Sequence, residues 1–407
     1  MNMLTLVLFG VLAPAMSPAT NSIAVPQDAI DPVITQEPEA TPWWRSLETK
    51  PLFSTERSED GLPTGWKIVG GPAKFVLETG PKGETILHGS GNAPRNAFLV
   101  DPRITGDFLL EFDVFIELDG GNSGTQIRSR VDGDRMVGYQ IEIDPSARAW
   151  SGGLYDEGRR GWIASLADNL EARNAFIPGE WNQYTILAIG PRIRTWINDI
   201  PAVDHLDFTD PSGNIGFQVH GGRCDVRWRR PRIADLGTRT PKVFSSDLET
   251  LSMTATPADG IHPTDDGLGF HLTGVDVDLE SSDAIPEAPM TLGFAATLRQ
   301  GSLRIELGDA RKGPGYVFTI PAPLGNPDRP SMIRIVRSID GMAVLIDDVP
   351  LVPGPKNLDG TLDLRIEADR GTTGTIHRIV VEPPTNLEAQ AVEQWRMKTT
   401  EAPGKAP

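Results

Sequence analysis

The chain has 407 residues, 42 Gly and 35 Pro among them, and a formal net charge of −17. That length exceeds one ordinary core and suits two domains with tails. The negative balance offers nothing to neutralise phosphates, which excludes nucleic acid as a partner, and a single cysteine, Cys224, excludes an intrachain disulfide.

Leu4 to Ala13 is an apolar run too short to cross a bilayer, followed by small residues around Ala13-Pro14-Ala15. Residues 1–18 therefore read as a signal peptide, and the protein is expected to be exported to the periplasm or the extracellular space. Residues 19–42, rich in Pro, Ala and Glu without periodicity, read as a flexible leader. No later segment is long enough to be a membrane span.

Residues 43–238 form the first predicted domain. Alternating segments recur at Phe75 to Leu77, Phe108 to Phe115, Gly124 to Arg130, Gly138 to Asp144, Tyr184 to Ile189, Ile193 to Ile197 and Asn214 to His220. Turn signals such as Asp119-Gly120-Gly121, Asp132-Gly133-Asp134 and Asn198-Asp199 separate them. Short strands at this spacing predict an all-β chain built as a sandwich or jelly roll.

A second β-sandwich is predicted over 246–383, with strands at Gly269 to Val277, Met290 to Leu298, Ser302 to Leu307, Met332 to Arg337, Met342 to Ile346, Leu362 to Ala368 and Ile376 to Val381. It reads as a degenerate duplicate. Ile186-Leu187-Ala188-Ile189 and Trp196-Ile197-Asn198-Asp199-Ile200-Pro201 recur about 150 residues later as Ile335-Val336-Arg337-Ser338 and Leu345-Ile346-Asp347-Asp348-Val349-Pro350. The same offset sets Asn214 to Gln218 over Asp363 to Glu367. The copy lacks the polar motifs of the first, which points to a structural or ancillary binding role. Residues 384–407 read as a polar tail.

Strand alternation sorts the polar residues of the first domain. In Gly138 to Asp144, Tyr139, Ile141 and Ile143 share one face while Gln140, Glu142 and Asp144 share the other. Gln218 and His220 point away from Ile215, Phe217 and Val219, and Gln126, Arg128 and Arg130 lie opposite Thr125 and Ile127. If the three strands share a sheet, its open face is a floor of planar bidentate groups. Flanking loops add Trp150, the run Leu154 to Trp162 with Tyr155, Glu157 and Arg160, and Gly179-Glu180-Trp181-Asn182. Aromatic surface beside hydrogen-bonding groups suits a pyranose ring.

These motifs resemble the 3-keto-disaccharide hydrolase family, also described as 3-keto-glucoside lyase or 3-keto-2-hydroxy-glucal hydratase domains. The resemblance rests on Asn122-Ser123-Gly124 with Arg128, Gly138 to Asp144, Gly152 to Arg160, Gly179 to Asn182, Trp196-Ile197-Asn198 and Gly216 to Gly221, and covers about Pro51 to Leu236. It implies a concanavalin-like jelly roll of two curved antiparallel sheets. This chain departs from many members in carrying Gln at 140 and Glu at 142, and Asn198-Asp199 stands at a hairpin tip usually written Asn-Gly. The motifs do not reach the second domain.

The activity implied is cleavage of a 3-keto glycoside: proton removal beside the ketone, elimination at C1, then rehydration, for net hydrolysis. Such a site needs a base, a group that stabilises the enolate, and an acid for the leaving oxygen. Glu142 is assigned as base, with Asp144 or His220 in reserve, Arg128 for the enolate, and Tyr155 or Glu157 for the leaving group. Asn122, Gln140, Asn182 and Gln218 would hold hydroxyls, with Arg160 and Trp181 also binding substrate. The implied partner is an upstream dehydrogenase that oxidises the sugar at C3.

Two alternatives remain: a non-catalytic carbohydrate-binding module, and a retaining glucanase on the same fold. The glucanase needs Glu-Ile-Asp followed by a second Glu, where this chain has Ala147. No cofactor is required by any motif. The six histidines are scattered without zinc spacing. A divalent ion such as calcium at Asp132-Gly133-Asp134 stays open beside a plain tight turn.

Overall fold

The architecture comes from a computed structural model that describes residues 43–53, 56–238, 242–243, 253–256, 261–264, 269–281, 290–308, 316–326, 329–338, 341–353, 363–382 and 388. The expected signal peptide, the leader, and the tail apart from residue 388 lie outside the described residues.

The alternation in the sequence becomes two antiparallel sheets packed face to face. The cleft sheet runs in spatial order β10 (Gly161–Ala164), β9 (Leu154–Glu157), β8 (Arg135–Ile143), β7 (Ser123–Asp132), β14 (Asn214–Val219), β5 (Ala97–Val100) and β2 (Lys67–Gly70). The back sheet runs β13 (Ile200–Leu206), β12 (Arg192–Ile197), β11 (Trp181–Ile189), β6 (Asp107–Ile116), β15 (Gly222–Gly237), β4 (Thr85–Ala93) and β3 (Lys74–Thr79), with β1 (Lys50–Pro51) beside β15. Apolar residues of both sheets fill the space between. Phe112 stacks on Tyr184 at 5.1 Å, and Phe217 meets Phe112 edge-on and Trp228 at 5.1 Å. Tyr139, Ile141 and Ile143 are fully buried in this core, which sends Gln140 and Glu142 to the other face of β8.

The second sandwich repeats this wiring. One sheet runs β18 (Ile261–Pro263), β19 (Gly269–Thr273), β28 (Thr373–Glu382), β21 (Met290–Gln300), β24 (Ser331–Ser338), β25 (Gly341–Ile346) and β26 (Val349–Pro353), with β16 (Lys242–Val243) beside β28. Read from the other end, it matches the back sheet strand for strand. Even the irregularity between Thr195 and Trp196 in the β12–β13 pairing returns between Val344 and Leu345. The other sheet, β17 (Met253–Thr256), β20 (Val277–Ser281), β27 (Asp363–Ala368), β22 (Ser302–Gly308) and β23 (Tyr316–Pro321), matches β2-β5-β14-β7-β8 and has no described counterpart of β9 and β10. The expected duplicate is a second β-sandwich.

Some expectations need correction. The segment read as one strand from Gly269 to Val277 is two, β19 and the start of β20, divided at Gly274 with φ +85°. The run from Leu154 to Trp162, read as a loop, supplies β9 and β10 and so extends the cleft sheet at one edge. Asn198 and Asp199 do form the tight β12–β13 tip, at φ +50° and +67°.

Candidate functional site

The polar ends of the cleft sheet border an open cleft of about 670 Å³. β8 supplies Gln140 and Glu142, β9 supplies Tyr155 and Glu157, and β10 supplies Trp162. The β6–β7 loop brings Asn122, the β8–β9 loop brings Asp144, Ser146 and Arg148, and the β14–β15 turn brings His220.

Glu142 is the centre of this arrangement. It is 4% exposed and accepts three hydrogen bonds: Asn122 Nδ2 (2.9 Å) and an Arg148 guanidinium N–H (2.6 Å) at Oε1, and Gln140 Nε2 (3.1 Å) at Oε2. A carboxylate accepts about four bonds, so Oε2 keeps a position for a substrate proton. Burial pushes the Glu142 carboxyl above the usual carboxylate range; the donors, Asn122 first, then Arg148 and Gln140, hold it back only in part, and Asp144 adds to the rise.

The donor from Gln140 is fixed from behind. Its Oε1 accepts from both Gln126 Nε2 and Gln218 Nε2 at 2.8 Å, which leaves its own Nε2 to face Glu142. Gly124 makes room for that side chain: a Cβ there would lie 2.5 Å from the Gln140 Cδ. Asp144 behaves differently from Glu142. Burial alone would raise its carboxyl, but bonds from Ser146 and from Arg148 Nε (2.7 Å) outweigh it and hold the group below its ordinary value.

Arg148 is the residue that sequence reasoning missed. It bridges Glu142 and Asp144 and lies over the rings of Trp150 (5.2 Å) and Trp162 (5.0 Å). Its signal was available as a cation four residues beyond Asp144 and two before Trp150. Ala149 follows it at φ +55° in the loop between β8 and β9.

At the other end of the cleft, Glu157 accepts from Asn96 Nδ2 at 3.1 Å. Burial raises its carboxyl, with Asn96 and the nearby His220 opposing. Tyr155 stands edge-on to Trp162 at 5.2 Å, and its hydroxyl is raised by burial first, then by the charges of Glu157 and Glu142. His220 is exposed on the rim, its Nδ1 within 2.7 Å of the Gly221 carbonyl.

The structure brings together Asn122, Gln140, Glu142, Asp144, Tyr155, Glu157 and His220, and places Gln218 one layer behind. It does not bring four expected residues to the cleft. Arg128 sits in a bulge of β7 at φ +45°, which breaks the alternation and turns its side chain inward. There it donates to the Gly106 carbonyl (2.7 Å), the Gly190 carbonyl (2.5 Å) and Asp107 (2.9 Å), fully buried. Arg160 pairs with Asp156 and Asp207 in the network that holds Tyr139. Trp181 belongs to the back sheet, against Phe115 and under Arg229. Asn182 is buried and bonded to Ile177 and Glu180 backbone, organising the turn before β11. At Asp132-Gly133-Asp134, Arg135 pairs with Asp132 and Arg95 with Asp134 around Gly133 at φ +63°. Among the described residues, no group of three or more His, Cys, Asp or Glu converges as a metal site would require.

Several solved structures show likeness at low identity. A carbohydrate-binding module, CBM66 from Bacillus subtilis, is 18% identical over 41% of this chain and 94% of its own, with a TM-score of 0.31. A protein of unknown function with a galectin-like fold from Bacillus subtilis is 14% identical over 46% and 98%, with a TM-score of 0.33. Domain 4 of AbnA, an extracellular arabinanase from Geobacillus stearothermophilus in complex with arabinotriose, is 11% identical over 42% and 84%, with a TM-score of 0.26. No curated protein matches the chain. The family model of the 3-keto-alpha-glucoside-1,2-lyase-like domain matches residues 49–234, which hold the whole cleft sheet and every residue bonded to Glu142. The first sandwich of this chain is therefore similar to the 3-keto-alpha-glucoside-1,2-lyase-like domains over residues 49–234.

Proposed function

We propose that the first sandwich cleaves 3-keto glycosides by elimination and rehydration, with Glu142 as the base. The observation that carries this reading is Glu142 itself. A buried carboxylate raised above its ordinary range, held by three donors and open at Oε2, is built to take a carbon-bound proton. A sheet that merely meets solvent has no reason to bury such a group.

Arg148 takes the part that the sequence assigned to Arg128. It is the cation at Glu142, and Asn122 adds a neutral donor close by for charge developing on the enolate oxygen. Glu157, raised by burial, is suited to hand a proton to the leaving oxygen, and Tyr155 stands next to it on β9. Trp162 and Tyr155 offer an apolar wall for a ring face. Water then adds at C1 of the unsaturated product and gives its proton to Glu157, while Glu142 returns the proton it took to the carbon beside the ketone. The substrate must arrive already oxidised at C3, which requires a separate sugar dehydrogenase upstream.

Export follows from the N-terminal pattern of residues 1–18, and sequencing the mature N-terminus tests it. Among the described residues, no helix is long and apolar enough to cross a membrane.

The deciding experiment incubates the protein with 3-keto and unoxidised p-nitrophenyl glucosides of both anomers, beside Glu142→Gln. Nitrophenol released from the keto compounds alone, and lost in the variant, supports elimination. No release from any compound, with sugars still protecting against thermal unfolding, replaces the enzyme with a binding module.

A further inference from the structure

We infer that the second sandwich is a positioning element for the cleft, acting through the turn between β11 and β12. Among the described residues, side-chain contacts cross between the sandwiches at one edge. Arg192 pairs with Asp347, Arg194 with Asp348 (2.5 Å) and Arg329 with Asp204, while Arg334 donates to the Ile189 carbonyl at 3.0 Å. Arg192, Arg334 and Asp348 are each 2% exposed. Buried charges tolerate little change in their partners' positions, so the cluster selects one orientation of the two bodies.

The duplicated hairpin shows that this contact is specific to the copy. In the first sandwich the tip stays within its own half of the chain: Asn198 donates to the Ala175 carbonyl (2.7 Å) and Asp199 meets Arg45 (3.0 Å). In the second, Asp347 anchors its own strand through the Met332 N–H (2.9 Å) and the Ser331 hydroxyl (3.0 Å) while also holding Arg192. Arg334 joins Asp348 from the same sandwich, and Asp348 reaches across to Arg194.

The gripped turn leads to the cleft. Arg334 holds the Ile189 carbonyl from outside, and Arg128 holds the next carbonyl, Gly190, from inside (2.5 Å). Asp107 Oδ1 accepts from both the Gly190 N–H and Arg128, each at 2.9 Å. Arg128 is the bulge residue of β7, two positions after Gln126, which donates to Gln140, the donor to Glu142. A loosened turn frees the bulge, and the bulge sets where Gln126 stands. Arg334 touches no cleft residue, so its part is positioning.

The test uses the full chain with Arg334→Met and Arg334→Lys, the latter keeping a charge beside Asp348 but losing the planar fork. Amide exchange is read at Ile186 to Ile193 and separately at Gly124 to Arg130, with the pH midpoint of methyl glucoside binding. Arg334→Met is expected to speed exchange about tenfold at both segments and to move the pH midpoint, with Arg334→Lys intermediate. Faster exchange at the turn alone, with Gly124 to Arg130 and the pH midpoint unchanged, overturns the proposal, as does no change at either segment. Should the Met variant not fold, the Lys variant gives the same two-segment comparison. None of these readouts depends on glycoside cleavage, so they stand apart from the proposed reaction.

Discussion

The two sandwiches share a strand order and differ in what stands on the equivalent face. In the first, Gly124 faces Glu142 and Gln126 faces Gln140 across the β7–β8 ladder. In the second, the matching ladder pairs Arg304 with Thr319 and Glu306 with Val317. Where the first has an empty glycine, the second has Arg304, which binds Glu367 (2.6 Å) and Glu306 (3.2 Å), while Arg365 binds Asp278 at 2.8 Å. The copy thus pairs its charges with each other along the sheet. In the first sandwich the charges converge on Glu142 and leave it facing a cleft walled by β9 and β10, strands with no described match in the copy. A jelly roll supplies only a polar face; a site also requires a small residue that makes room, amides that aim a donor, and walls that border the cleft.

The contrast can be broken most strongly at Glu142. Glu142→Gln should lower cleavage of 3-keto glucosides by about a thousandfold, the usual range for a lost general base. Thr319→Gln at the matching position should leave the rate alone; steady-state assays of both variants read the difference.

Arg128→Met comes next, and its damage should appear as unfolding. Removing one partner of a buried ion pair costs about 3–5 kcal/mol, and Arg128 and Asp107 are both at most 1% exposed. Denaturant titration should show that loss. A variant of full stability that has lost only activity would return Arg128 to the chemistry.

Gly124→Ala sharpens the comparison more gently. Its Cβ must displace Gln140, and the expected loss is about tenfold in kcat/KM, or roughly 1.4 kcal/mol of transition-state stabilisation. Arg304→Ala removes a partly exposed pair and should shift stability by less than about 1 kcal/mol.

Acidity separates the two regions again. Glu142 and Glu157 have carboxyls raised by folding, so their ionisation works against the native state. Their favourable contribution is present at low pH and is lost as pH rises through the raised values, while activity needs Glu142 ionised and Glu157 protonated, so it grows as Glu142 titrates and falls as Glu157 does. Glu142→Gln should therefore melt higher than the parent at neutral pH, with the gap closing in acid. Asp348 has the opposite sign. Burial would raise it, yet Arg334, Arg194 and Arg192 together bring it down to about 2. The stability it contributes is present above its unfolded value and is lost as pH falls towards about 2. Melting curves across pH, for the parent, Glu142→Gln and Asp348→Asn, separate these two trends.

The smallest effect is expected at Trp181. It packs on Phe115 and Arg229 away from the cleft, so Trp181→Ala should change affinity for a glucoside by less than about twofold while lowering the melting point. A large loss of affinity, measured by calorimetry, would mean that the back sheet also takes part in binding.

Much of the site was legible because β8 keeps strict alternation. Tyr139, Ile141 and Ile143 must enter the core, which leaves Gln140 and Glu142 on the cleft face without any knowledge of the rest. Where alternation failed, the reading failed with it. The extra residue at the β7 bulge turned Arg128 inward, and periodicity carries no mark of a bulge. Arg160, Trp181 and Asn182 were assigned from motifs in flanking segments, which cannot say which sheet or which side of a turn a side chain serves. Arg148 was overlooked because it meets its two carboxylates from the loop between β8 and β9, where no strand period assigns a side chain to a face.

By itself, the sequence determined the class of fold, the duplication and the identity of the buried carboxylate strand, because core burial and strand period are local consequences of residue order. Only the tertiary structure decided which cation reaches Glu142, which strands wall the cleft, and what the copy grips. Those outcomes depend on groups far apart in the chain meeting at hydrogen-bond distance, as Arg334 meets the Ile189 carbonyl at 3.0 Å. Residue order specifies the groups, and packing selects the partners.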